Sequence, residues 1–184
     1  MKYGILLLMI FLIWGVSSFF NTTPVDSVDP GPVIDINFNK KLTGLDYNEV
    51  ECLAKNIYFE GRGETVKGQI AIAEVTANRV KSKQFPDTFC EVVKQGPIST
   101  WYLAEKYKVV PLLHKCQFSW YCDGKSDTPT DLWSWGRAIN IAVNTMTGEN
   151  KDPTNGSMYY HNDKVNPNWD LAMTKEIDHH IFYR

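Results

Sequence analysis

Residues 4–20 read GILLLMIFLIWGVSSFF and carry no charged side chain. Such a run cannot lie on the wet surface of a globular domain, and it is just long enough to cross a bilayer as a helix. It exceeds the usual apolar core of a secretory signal, and no Ala-x-Ala-like cleavage site follows it. The expectation is an uncleaved signal anchor over residues 1–20, with a cleaved signal peptide as the alternative. Lys2 precedes the run and should stay cytoplasmic. The remainder is then exported, held to the cytoplasmic membrane, and folded in the periplasm or cell wall.

Residues 21–45 begin NTTPVDSVDPGPVIDI, with three prolines and three aspartates in that stretch. This composition predicts a semi-extended linker rather than packed structure. Residues 46–184 remain as one domain, long enough to bury a core. Its four cysteines, Cys52, Cys90, Cys116 and Cys122, form no Cys-x-x-Cys pair. An even count in an exported chain points to two disulfides in any of three connectivities, whereas four buried thiols would fit a cytosolic domain. The net charge of −2 and the absence of a basic run give no support for nucleic-acid binding. Aromatic residues reach 13%, which fits either a Trp-rich core or a groove lined with flat rings suited to sugars.

Hydrophobic spacing predicts a mainly helical α+β domain. Val50, Leu53, Ala54 and Ile57 recur at helical intervals over about 46–60, with Asp46 as N-cap. A second helix over about 66–82 starts at Thr65 and carries Val66, Ile70, Ala73, Ala77 and Val80 on one stripe. A third covers about 131–147, with Leu132, Trp135, Ile139, Ala142 and Met146 as its apolar side, Asp131 as cap and Gly148 as stop. A weak helical pattern lies within 97–115. Aromatic-rich segments at 156–161 and 180–184 read as short strands.

Glu60 ends the first helix in IYFEGRGE, at the edge of the apolar stripe rather than on the wet face. A carboxyl beside apolar side chains loses hydration, which disfavours its charged form and raises its pKa. A protonated carboxylic acid near neutral pH is what a glycosidase needs to protonate a leaving oxygen. Gly61 and Gly63 should end the helix and leave room for a large substrate. The plainer alternative is a half-exposed glutamate at a helix end. Glu64 stands before a helix N-terminus, where a carboxylate is favoured anyway. Arg62 could pair with Glu64 or hold a substrate carboxylate. Gln69, Asn78 and Arg79 on the second helix fit hydrogen bonding within the fold, and Gln69 is also a candidate for substrate contact.

IYFEGRGETVKGQIAIAEVTANRV (57–80), FPDTFCEVV (85–93), QFSWYCDG (117–124), MYYHNDKVNPNW (158–169) and HIFYR (180–184) together resemble the SleB/CwlJ-type cell wall hydrolases. Five blocks in order cover nearly all of residues 46–184. The resemblance implies a lysozyme-like fold with a small β element, and action on peptidoglycan glycan strands. It places Glu60 where that family has its catalytic glutamate. It also implies a substrate groove near Gln117, Phe118, Tyr160, His161, Asn166 and Trp169. Phe59 and Gly61 stand where Ala is frequent. Residues 96–115 resemble an insertion whose Trp101, Tyr102 and Tyr107 could reshape the groove.

The expected reaction is cleavage between N-acetylmuramic acid and N-acetylglucosamine, with neither metal nor cofactor. A lytic transglycosylase needs only Glu60, whereas a muramidase would usually need a second carboxylate, for which Asp123 and Glu64 are candidates. A zinc amidase would draw on His114, His161, His179 or His180, though none shows His-x-x-x-His spacing. A cysteine peptidase would need Cys116 or Cys122 beside His161. A non-catalytic wall-binding protein, or a phage endolysin, would carry the same groove and anchor.

Overall fold

The computed structural model describes residues 41–184. The expected anchor over 1–20 and most of the linker lie outside the described residues. Among the described residues, no helix is long and apolar enough to cross a membrane. Packed structure begins upstream of Asp46: Leu42 and Leu45 sit against the core, and Lys41 Nζ pairs with Glu149 at 2.6 Å.

The elements run α1 (Tyr47–Gly61), α2 (Val66–Lys81), α3 (Phe89–Val93), α4 (Thr100–Lys106), a 3-10 turn (Ser119–Cys122), α5 (Leu132–Met146), β1 (Tyr159–Asn162), β2 (Met173–Ile177) and β3 (His180–Tyr183). The domain is α+β and mainly helical. Its antiparallel sheet has the order β1-β3-β2. Asp46 and Thr65 cap α1 and α2 with their side chains, and Asp131 caps α5. Gly148 takes φ +75 just beyond α5 and stops it. Strand β2 was not expected: MTKEI has no alternating apolar signal, and only Ile177 is buried.

The α1 stripe faces inward as spaced, with Val50, Leu53, Ala54 and Ile57 in one cluster with Ala73 of α2 and Ala138, Ile141, Ala142 and Val143 of α5. The other two stripes fail only at their first residues. Leu132 is 79% exposed, whereas Trp135, Ile139, Ala142 and Met146 pack in or against the same cluster, and α5 also buries Ala138, Ile141 and Thr145. Val66 is exposed, whereas Ile70, Ala73, Ala77 and Val80 face the core, and α2 is buried on a second side too. Ala73 meets α1 and α5, while Ala71 and Val75 meet Ile177 and Phe182 of the sheet. A helix sandwiched this way has no single apolar face for a one-stripe reading to find.

α1 ends at Gly61 as expected, but not through a left-handed glycine. The residue capping the helix, Arg62, is right-handed helical at φ −54 and ψ −34. A Cβ at 61 would stand 2.7 Å from Cδ1 of the fully buried Ile72. The glycine therefore allows α1 and α2 to approach closely.

A buried polar chain locks the helices near Glu60. Trp120 Nε1 donates to Asn56 Oδ1 (3.0 Å), and Asn56 Nδ2 donates to Thr76 Oγ1 (3.1 Å). It satisfies side chains that would each be costly to bury alone. It also stacks Trp120 on Phe59, with ring centres 4.9 Å apart. The cysteines pair as Cys52–Cys90, joining α1 to α3, and Cys116–Cys122, closing a short loop.

Candidate active site

Glu60 is carried on the last turn of α1 and is half-buried. It lines two adjoining pockets, of about 180 and 450 Å³, which share Ser119, Asn162 and His180 and so form one groove on both sides of the carboxyl. Tyr160 Oη donates to Glu60 Oε2 at 3.3 Å. Burial raises the Glu60 carboxyl above the ordinary carboxylate value. The Tyr160 hydrogen bond and the charge of Arg79 pull it back down. Tyr160 itself is pushed well above the usual phenol range, first by burial and then by the Glu60 charge, so it stays a neutral donor.

Arg79 closes the floor of the smaller pocket. It is 2% exposed, and its guanidinium lies 5.1 and 5.2 Å from the ring centres of Phe85 and Phe118. Its Nε donates to the Met158 carbonyl at 2.6 Å, while Nη1 has no hydrogen-bond partner. Asn78, one residue earlier, donates to Asp152 Oδ2 and to the Ser157 carbonyl. The end of α2 thus holds the chain leading into β1, which sets Tyr160 opposite Glu60.

The smaller pocket brings together Glu60, Gln117, Phe118, Tyr160 and His161 from the sequence reading, with Arg79 and His180. Gln69 is elsewhere: 3% exposed, it donates to the carbonyls of Gly61 (3.0 Å) and Glu64 (3.4 Å) and ties α1 to α2. Asn166 accepts from the Asn168 amide in an exposed turn, and lines neither pocket. Trp169 packs edge-on against His161, Tyr159 and Tyr183 and lines neither pocket. None of Trp101, Tyr102 and Tyr107 lines the groove at Glu60.

Arg62 does not pair with Glu64; its Nη1 donates to Tyr58 Oη at 2.9 Å. Glu64 is engaged by the β2–β3 turn, with His179 Nδ1 at 3.2 Å and His180 Nδ1 at 3.9 Å. The two adjacent histidines converge because His179 lies in the turn and only His180 enters β3. Burial lowers the His180 pKa, with Glu64 opposing, which favours the neutral ring. Sequence reasoning passed over Ser119, Asn162 and Asp127. Ser119 and Asn162 fall inside the family-like blocks 117–124 and 158–169 without having been singled out, and Asp127 lies outside every block; all three line the wider pocket with Glu60. Asp123 and Asp127 line the wider pocket with Glu60. Burial raises Asp127, with Lys55 opposing and Asp123 reinforcing.

Both cysteine pairs are closed, so neither Cys116 nor Cys122 can serve as a nucleophile. Among the described residues, no three His, Cys, Asp or Glu side chains form a group able to hold a metal ion. The site offers a desolvated carboxyl, a neutral phenol, a buried guanidinium and two aspartates along an open groove.

Residues 63–183 match a family model described as cell wall hydrolase. The chain is 30% identical over 142 residues to a spore cortex-lytic enzyme of Halalkalibacterium halodurans, covering 76% of this chain and 36% of that protein. A spore cortex-lytic enzyme of Bacillus cereus is 29% identical over 143 residues, 76% of this chain and 45% of the relative. The chain thus spans less than half the length of these curated relatives. Among solved structures, it is similar to the catalytic domain of the Bacillus cereus SleB protein (28% identity, TM-score 0.50, 77% of this chain and 93% of that one). It is likewise similar to the catalytic domain of the germination-specific lytic transglycosylase SleB of Bacillus anthracis (28% identity, TM-score 0.51, 77% and 98%).

Proposed function

Because this chain belongs to the cell wall hydrolase family, we propose that it degrades peptidoglycan, cutting the glycan strand between N-acetylmuramic acid and N-acetylglucosamine with Glu60 as general acid and base. The observation that carries the reading is the Glu60 carboxyl itself: raised by burial, bonded by Tyr160, and set midway along an open groove.

The two opposing influences on Glu60 match two stages of the reaction. Burial favours the protonated carboxyl before a glycan strand arrives. Glu60 then passes that proton to the bridging oxygen as the sugar moves through an oxocarbenium-like state. The resulting carboxylate is stabilised by the Tyr160 hydroxyl and by the Arg79 charge. It next takes the proton from the incoming hydroxyl. In a lytic transglycosylase this is the muramic acid 6-hydroxyl, which closes an anhydro ring without a second acid. The similarity to a solved lytic transglycosylase domain favours that outcome.

A muramidase outcome is the second reading, favoured by Asp123 and Asp127 in the wider pocket, where a carboxylate could direct water. Export fits the two closed disulfides, which persist in oxidising compartments. Membrane tethering through residues 1–20 is part of the same proposal and rests on the sequence alone.

Mass spectrometry of digested peptidoglycan tests the reading. Anhydro-muramic ends are expected, reducing muramic ends would assign the muramidase course, and freed stem peptides would overturn glycan cleavage. Glu60→Gln should abolish lysis while wall binding survives. Unchanged lysis in that variant would end the assignment of Glu60.

A further inference from the structure

Residues 96–115 form a stapled lobe that displays apolar side chains instead of burying them. Its base is closed by backbone bonds from Ser99 N to Val110 O (2.8 Å) and from Leu112 N to Pro97 O (2.9 Å). The Cys116–Cys122 pair holds the outgoing strand. Helix α4 within it buries no residue at all. Trp101, Leu103, Tyr107, Val109 and Leu113 are exposed, Tyr107 to 91% and Val109 to 70%. Beside them lies an apolar pocket of about 580 Å³ lined in part by Tyr102, Val110, Pro111, Leu112 and Leu113. A protein surface rarely leaves this many large apolar side chains of one segment uncovered without a partner.

The charges on the lobe identify that partner. Within residues 96–115, Lys106, Lys108 and Lys115 stand against Glu105 alone, in a chain whose net charge is −2. All three lysines are exposed, and none is ion-paired among the described residues. Trp and Tyr rings beside aliphatic tips, rimmed by free ammonium groups, match the interface of an anionic bilayer. There the rings settle at headgroup depth and lysines meet phosphates. A glycan strand would use ring faces but has no need for the aliphatic tips. We propose that this lobe is a docking element for anionic phospholipid membranes. Lys125 lines both the lobe's pocket and the wider arm of the Glu60 groove, so docking would hold that groove close to the bilayer surface. The apolar run at 4–20 is consistent with this placement. Residues 21–40 reach at most about 70 Å when fully extended.

The test is an environment-sensitive fluorophore on Val109→Cys in the full chain, reconstituted with vesicles. The four native cysteines are paired, so the new thiol is unique. With phosphatidylglycerol in the vesicles, the label should shift to the blue and be quenched by brominated lipid. It should stay in water with phosphatidylcholine alone. Lys106→Glu, Lys108→Glu and Lys115→Glu together should abolish the shift, and a label on Met173→Cys in the sheet should never show it. Four results would overturn the proposal: a label in water with both lipids, an equal shift with both, a shift that appears only with purified peptidoglycan, or one that rises with protein concentration without lipid.

Discussion

The Tyr160 hydroxyl bonds the Glu60 carboxylate at 3.3 Å, joining the end of α1 to β1 across 100 positions of sequence. This contact lowers the carboxyl pKa while burial raises it, so the acid strength of Glu60 depends on a strand far away in the chain.

Replacing Tyr160 by Phe removes the influence that favours the charged form. The Glu60 pKa should rise further, and the group should keep its proton to higher pH. The alkaline limb of the pH–rate profile for wall lysis should therefore move upward. An unmoved limb would mean that this bond does not tune the acid.

Glu60 also carries a stability cost whose sign follows from the same shift. Its folded pKa is raised above the ordinary carboxylate value of about 4.5, so the folded state binds the proton more tightly. Stability is greatest while the group is protonated in both states, and falls as pH rises from about 4.5 through the folded pKa. Glu60→Gln should thus melt higher than wild type at pH 8, and the difference should shrink towards zero at pH 4. Thermal melts across that range check it.

Arg79→Lys keeps a charge but loses the planar group that lies against Phe85 and Phe118 and donates from Nε to Met158. A loss of about 1–3 kcal/mol is expected in urea unfolding, the usual cost of a buried hydrogen bond broken on one side. Arg79→Met should in addition raise the Glu60 pKa, because the guanidinium charge lowers it.

Gly61→Ala would set a methyl group 2.7 Å from Ile72 Cδ1. Overpacking of about 1–3 kcal/mol should outweigh the helix-propensity gain of up to about 1 kcal/mol. Ile72→Val removes the obstructing carbon, so the double variant should recover stability relative to the sum of the single changes. Chemical denaturation of the four proteins measures the coupling.

The two disulfides should contribute unequally, since their partners are separated by 38 and 6 positions. Loop entropy predicts losses of about 4 kcal/mol for the Cys52–Cys90 double alanine variant and about 2 kcal/mol for Cys116–Cys122. Equal losses in urea titrations would argue against a chain-entropy origin.

Much of this protein was legible locally. Asp46, Thr65 and Asp131 mark the helix starts, and the α1 stripe points Glu60 toward the core edge, because capping and 3.6-residue periodicity act within a turn or two of chain. The resemblance in five blocks supplied the family. What lay outside local reach depended on packing between distant segments. The cysteine count allowed three pairings, and only the approach of α3 to α1 selects Cys52–Cys90. Gln69 looks like a groove residue by position, but α1 and α2 close over it. The two buried sides of α2 and the exposure of Leu132 follow from how helices and sheet stack, which no single stripe records. The sequence by itself determined the three long helices, their caps and the place of the Glu60 carboxyl at the edge of the first. The tertiary structure decided which further side chains line the groove at that carboxyl, because Arg79, Ser119, Asn162 and His180 join Gln117, Phe118, Tyr160 and His161 there only once a dense core has brought four separate segments together.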